Sequence, residues 1–196
     1  MPGPEAVLTE LSDSGELPGT YPASLDQLEP SFRSFLLLLR SAFTTGLNQA
    51  NANVTDGVAC PTFHFDYVDS PEPAFAFQHE GCAFIIVSVE MAKLLMQLAG
   101  TLSLTQPILK LLAIDVTHPD MVDLLRMVLF LVELNFLVCH EFTHHVHGHL
   151  PAPFGKGLVI WKEFGGATPG GTRLEEQAQE ADADSYAVLC SIYSSE

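Results

Sequence analysis

The run from Pro119 to His147 constrains this chain more than any other segment. Met121 to Cys139 is almost unbroken apolar sequence, and it leads directly into His140-Glu141-Phe142-Thr143-His144. Its composition reads as one helix, starting near Pro119-Asp120 and running to about His147. Gly148 is expected to end it, because glycine tolerates the left-handed conformation that closes many helices. The apolar stretch is long enough to span a bilayer. Asp123, Arg126 and Glu133 interrupt it, and charges near a bilayer centre are costly. The segment therefore reads as a buried core helix around which the rest of the fold must assemble, and no membrane partner is expected.

A helix turns about 100° per residue, so His140 and His144 share one face, one turn apart. Two imidazoles so placed can close on one metal ion. Glu141 follows the first of them, so its carboxylate can reach a water on that ion without binding the ion itself. This is H-E-x-x-H chemistry, with zinc as the expected cofactor, His140 and His144 as ligands and Glu141 as general base. His147 lies nearly two turns from His140 on the same face. It is expected to line the site, with His149 and Tyr186 as further lining candidates. His145 points elsewhere and reads as a polar surface or second-layer residue. The histidines after His144 also suit a helix C-terminus, where the dipole favours partial positive charge. Cys139 is one residue off the ligand face and reads as a small buried hydrophobe.

Zinc held by two histidines needs a third protein ligand and an open position. Glu180-Ala181-Asp182-Ala183-Asp184-Ser185-Tyr186-Ala187 offers one, in a segment from Leu174 to Tyr193 of helical composition. Glu180 and Asp184 are four apart and share a face. Glu180 can bind the metal while Asp184 accepts the other ring N–H of a ligand histidine, fixing its tautomer. Asp182 lies about 200° around the helix from Asp184 and reads as a solvated surface residue. Ala181, Ala183 and Ala187 let this helix lie close to the first. Glu176, one turn before Glu180, lacks the following Ala-Asp pattern and ranks second as ligand. A third histidine six residues after His144 is ruled out, since that position is Leu150.

H-E-x-x-H followed by E-x-x-A-D resembles the gluzincin metallopeptidases. The extended form His140-Glu141-x-x-His144-x-x-x-Gly148-His149 resembles the ImmA/IrrE-type peptidases and the Lit-like phage-exclusion peptidases. The likeness covers roughly residues 82 to 193, and residues 1 to 60 contribute nothing to it. The resemblance implies an α+β fold: a zincin-like lobe with a small, mainly antiparallel sheet packed on the motif helix and a second, ligand-bearing helix. It implies a zinc metalloendopeptidase that hydrolyses peptide bonds, with a protein or peptide as substrate. A non-catalytic metal-binding regulator or sensor is the alternative, and Glu141 argues against it, since a structural zinc site has no need of that carboxylate.

The remaining sequence fits this frame. The chain has 196 residues, 47% of them apolar, enough for one sizeable core. Residues 1 to 30, rich in Pro, Gly, Ser and acidic residues, are expected to form a flexible or wrapping arm, with a single domain over 31 to 196. Ser31–Gln49, Glu90–Ala99 and Gln106–Ile114 read as helices; Thr62–Val68, Ala74–Phe77 and Cys82–Val89 read as strands. Residues 151 to 172, carrying Phe154, Trp161 and Phe164 among Gly and Pro, read either as a loop over a cleft or as a connector whose aromatics pack on the core. Net charge is −16, with 8 Lys plus Arg against 24 Asp plus Glu, so no basic footprint for nucleic acid is present. Such a surface suits basic substrate segments. Met1 to Gly19 carry no cationic start and no apolar core, so a cytoplasmic setting is expected, with Cys60, Cys82, Cys139 and Cys190 as reduced thiols.

Overall fold

A computed structural model of the chain describes residues 3–53, 62–111, 119–150, 159–161 and 173–193. The elements run α1 (Pro4–Asp13), β1 (Tyr21–Pro22), α2 (Pro30–Ala52), β2 (Thr62–Asp69), β3 (Ala74–His79), β4 (Cys82–Ser88), α3 (Val89–Leu102), α4 (Gln106–Leu111), α5 (Pro119–Val146), β5 (Val159–Trp161) and α6 (Arg173–Tyr193). Helices and strands mix in an α+β arrangement around one sheet of order β1-β2-β4-β3-β5. The sheet is mixed. β2 and β4 pair in parallel from Thr62↔Cys82 to Val68↔Ser88, whereas the three other pairings are antiparallel. An antiparallel majority of pairings therefore surrounds a parallel centre. The cause is the tight β3–β4 hairpin, which inserts β4 between β2 and β3.

Local chemistry explains that hairpin. His79 pairs with Cys82, leaving Glu80 and Gly81 as the two turn residues, with φ of 48° and 80°. Two positive φ angles in succession match a turn whose twist suits the flanking strands. Ser88 ends β4 and caps α3, its hydroxyl accepting from the Met91 N–H at 3.1 Å. Pro30 opens α2, and the Glu29 carboxylate accepts from the N–H groups of Ser31 and Phe32.

β4 is buried on both faces, as a central parallel strand must be. Ala83, Ile85 and Val87 point to a core shared with Phe63, Phe65 and Tyr67 and with residues of α2, α3 and α5. Cys82, Phe84 and Ile86 point the other way, against Val7, Leu8, Leu11 and Leu17. The N-terminal segment, expected as a flexible or wrapping arm, packs on the sheet. It forms α1 and closes the second face of the sheet, burying four aliphatic side chains worth about 1.5–3 kcal/mol each. Arg40 on α2 reaches Asp66 on β2 at 3.2 Å and Glu5 on α1 at 3.5 Å, fastening the two layers along one side.

α2 also covers the outer edge of β2. The Asn48 side chain donates to the Phe63 carbonyl at 2.8 Å and accepts from the Phe63 N–H at 3.0 Å. The Thr44 hydroxyl accepts from the Phe65 N–H at 3.3 Å. At the opposite side of the sheet β5 pairs with β3 over Ala76–Gln78. Of the segment read as a cleft loop or connector, only this strand is described; Phe154 and Phe164 lie outside the described residues, as do Cys60 and positions 112–118. Among the described residues no helix is long and apolar enough to cross a membrane.

Candidate metal centre

α5 carries its core contacts at four-residue spacing: Phe130, Leu134, Val138, Phe142 and Val146 are all buried. This stripe seats the helix on the sheet and fixes its rotation, so the neighbouring face, bearing His140 and His144, turns toward α6. There Ala183 and Ala187 are fully buried, and their small size brings the two helices together.

The ligand candidates meet in that seam. The Nε2 atoms of His140 and His144 are 3.0 Å apart. Glu180 Oε2 lies 3.2 Å from His140 Nε2, and its Oε1 3.9 Å from His144 Nε2. Tetrahedral zinc, with bonds of about 2.0–2.1 Å, places neighbouring ligand atoms about 3.3 Å apart. Two imidazoles and a carboxylate brought this close, from two helices far apart in the chain, form a group that could hold a metal ion. Burial, reinforced by the neighbouring imidazoles, holds the His144 pKa down to about 2, so its ring is in the neutral form that binds metals.

Asp184 sits where the helix register puts it: its Oδ1 is 3.0 Å from His140 Nδ1, the ring nitrogen that faces away from the convergence point. Glu141 is 0% exposed, and both its carboxylate oxygens are shielded from solvent. On the helix wheel it falls between His144 and His145, so it faces the space between the ligand seam and the sheet.

Two residues, His145 and Asp182, stand elsewhere than the sequence reading placed them. His145 is no surface residue. It is buried, bonded through Nε2 to the Phe84 carbonyl of β4 at 3.1 Å, and set edge-on against Phe63. Burial lowers its pKa to about 4, so it anchors α5 to the sheet as a neutral ring. Asp182 does not merely meet solvent. Its Oδ2 lies 2.6 Å from His147 Nδ1 and 3.1 Å from His149 Nε2. Tyr186 packs edge-on against His147, while its hydroxyl hydrogen-bonds to the Cys190 sulfur. Cys139 and Cys190 hydrogen-bond to each other across the two helices, which together with the Tyr186 bond lowers the Cys190 pKa to about 7.

The chain reversal after α5 explains the position of His149. Gly148 has φ of 71°; the His149 N–H bonds the His144 carbonyl at 3.1 Å, and the Gly148 N–H bonds the His145 carbonyl at 3.3 Å. This is a Schellman closure. It folds His149 back over the last turn, so that its Nδ1 comes 3.1 Å from His144 Nδ1. The next residue, Leu150, packs on Ala76 of β3.

His140, His144 and Glu180 form one group of potential ligands, and His147, His149 and Asp182 form a second. The first combines buried imidazoles with a carboxylate that is 33% exposed. Compared with family models, curated proteins and solved structures, the chain matches none.

Proposed function

We propose that the chain is a zinc-dependent metallopeptidase. The observation that carries this reading is the convergence of His140 Nε2, His144 Nε2 and the Glu180 carboxylate at separations of 3.0, 3.2 and 3.9 Å, beside the buried carboxylate of Glu141. Held by His140, His144 and Glu180, a zinc ion would supply Lewis acidity toward a peptide carbonyl and toward water. Glu141 takes the proton of the attacking water and passes it to the leaving amine. Asp184 holds the His140 ring by accepting its Nδ1–H, and burial of both imidazoles keeps bulk water from the ligands. The substrate class is a protein or peptide, and the working compartment is the cytoplasm.

The test is cleavage of an unstructured protein such as casein and of a peptide library, with and without chelator, alongside Glu141→Gln. Zinc-dependent cleavage that falls by about 10²–10⁴-fold in a metal-loaded Glu141→Gln chain is the expected result. Full activity in that variant refutes the proposed role of Glu141. One observation favours a second reading, a metal-binding regulator without turnover: His144 and Glu141 are both 0% exposed, and a substrate carbonyl needs access to them. Stoichiometric zinc with no cleavage anywhere in the library supports that reading.

A further inference from the structure

We propose that His149 and Asp182 are positioning residues that orient His144 through a chain of ordered imidazole protons, and that this chain excludes a second metal ion from the neighbouring histidines. The inference rests on the zinc site proposed above. It starts from the reversal at Gly148, which brings His149 Nδ1 to 3.1 Å from His144 Nδ1.

The proton positions follow from the geometry. A metal held by His144 Nε2 takes the lone pair of that nitrogen. A neutral ring then carries its proton on Nδ1, the atom that faces His149. That N–H donates to His149 Nδ1, which must accept. A neutral His149 therefore carries its own proton on Nε2, and that atom lies 3.1 Å from Asp182 Oδ2. The carboxylate only accepts, so the chain ends there. The same oxygen lies 2.6 Å from His147 Nδ1, which donates to it as well. No group changes charge in this arrangement; it is an ordering of tautomers.

The two ligand imidazoles are then served by α6 in parallel. His140 gives its Nδ1–H directly to Asp184 at 3.0 Å. His144 gives its own to Asp182 through His149. Carboxylates beyond ligand histidines fix ring orientation and raise basicity, and their loss usually costs about 10–100-fold in metal affinity.

The alternative use of the same atoms is a second metal site, since His147, His149 and Asp182 also converge. To ligate through Nε2, His149 would have to move its proton to Nδ1. That would set two N–H donors against each other across the 3.1 Å gap to His144. Filling the first site therefore closes the second.

The experiment is imidazole ¹⁵N–¹H correlation spectroscopy on the full, zinc-loaded chain, with zinc counted by metal analysis. The expected result is one zinc per chain, His144 protonated at Nδ1 and His149 protonated at Nε2. Asp182→Asn should scramble the His149 tautomer and weaken zinc binding by about 10–100-fold. His149→Gln, whose carbonyl can accept from His144, should keep more affinity than His149→Phe. One zinc with His149 protonated at Nδ1 overturns the relay alone, as do two zincs of which one is lost in His147→Ala. A chain that binds no zinc overturns the metal centre itself, and the relay with it.

Discussion

Removing the metal should loosen α6 before any other element. The apolar anchors of this helix are small. Among its described side chains Ala183 and Ala187 are the buried ones and Tyr186 is partly buried against the core, while Leu174, Val188 and Leu189 remain largely exposed. Two methyl groups contribute on the order of 2 kcal/mol, at about 0.8 kcal/mol each. Beside these and the Tyr186 ring, polar contacts dock the helix: Glu180 at the two imidazoles, Asp184 at His140 and Asp182 at His147. A ligand at a thousand times its Kd stabilises the state that binds it by about 4.1 kcal/mol, equivalent to about 10³-fold in an opening equilibrium. Because Glu180 sits on α6, that stabilisation vanishes when α6 undocks. Amide hydrogen exchange with zinc and with chelator reads the difference directly. Exchange in α6 should accelerate by up to about 10³-fold on zinc removal, with β2 and β4 nearly unchanged. Glu180→Ala should show fast α6 exchange in both conditions. Equal α6 protection with and without zinc in the parent chain would refute Glu180 as the tie between helix and metal.

Three further outcomes are expected. Glu180→Ala should lose zinc by metal analysis while Glu176→Ala retains it; the reverse result dismisses the Glu180 assignment. Asp184→Asn should keep zinc but weaken it by about 10–100-fold in a chelator competition, and an unchanged Kd would leave Asp184 with no hold on His140. His145 supplies a pH test. Its folded pKa is about 4, below the ordinary value of about 6.5, so the unfolded chain takes up the proton first as pH falls. Stability should therefore decline from about pH 6.5 towards 4, by up to about 3 kcal/mol from this group. Denaturant titrations of zinc-free parent and His145→Gln across that range should give a flatter profile for the variant, and parallel profiles would show that His145 adds no pH dependence.

The grouping of the candidate ligands was legible because helix periodicity is local. Spacing four apart along α5 and again along α6 groups His140 with His144 and Glu180 with Asp184 before any tertiary information is used. The strands at Thr62, Ala74 and Cys82 announced themselves by β-branched and aromatic content. What escaped depends on contacts between distant segments. α1 holds only a few aliphatic residues amid Glu, Gly and Pro, and becomes amphipathic only against the sheet it covers. The parallel pairing of β2 with β4 joins strands separated by a hairpin, and no periodicity within either strand encodes it. Asp182 stands about 200° from Asp184 on the helix wheel, which suggested solvent. The helix wheel stops at Gly148, however, and the reversal there carries His149 back to meet Asp182. His145 was misplaced because its angle on α5 was known while the direction of the sheet was not.

Asn48 returns to Phe63 both the donor and the acceptor that a neighbouring strand would supply. Bare strand edges recruit other chains, and an aromatic, weakly charged strand such as Phe63–Phe65 is the kind that nucleates fibrils. Asn48, with Thr44 beside it and Pro22 of β1 further along the same edge, thus serves as a gatekeeper against self-assembly. Growth of the sheet by an incoming strand is thereby blocked along Phe63 and Phe65 of β2.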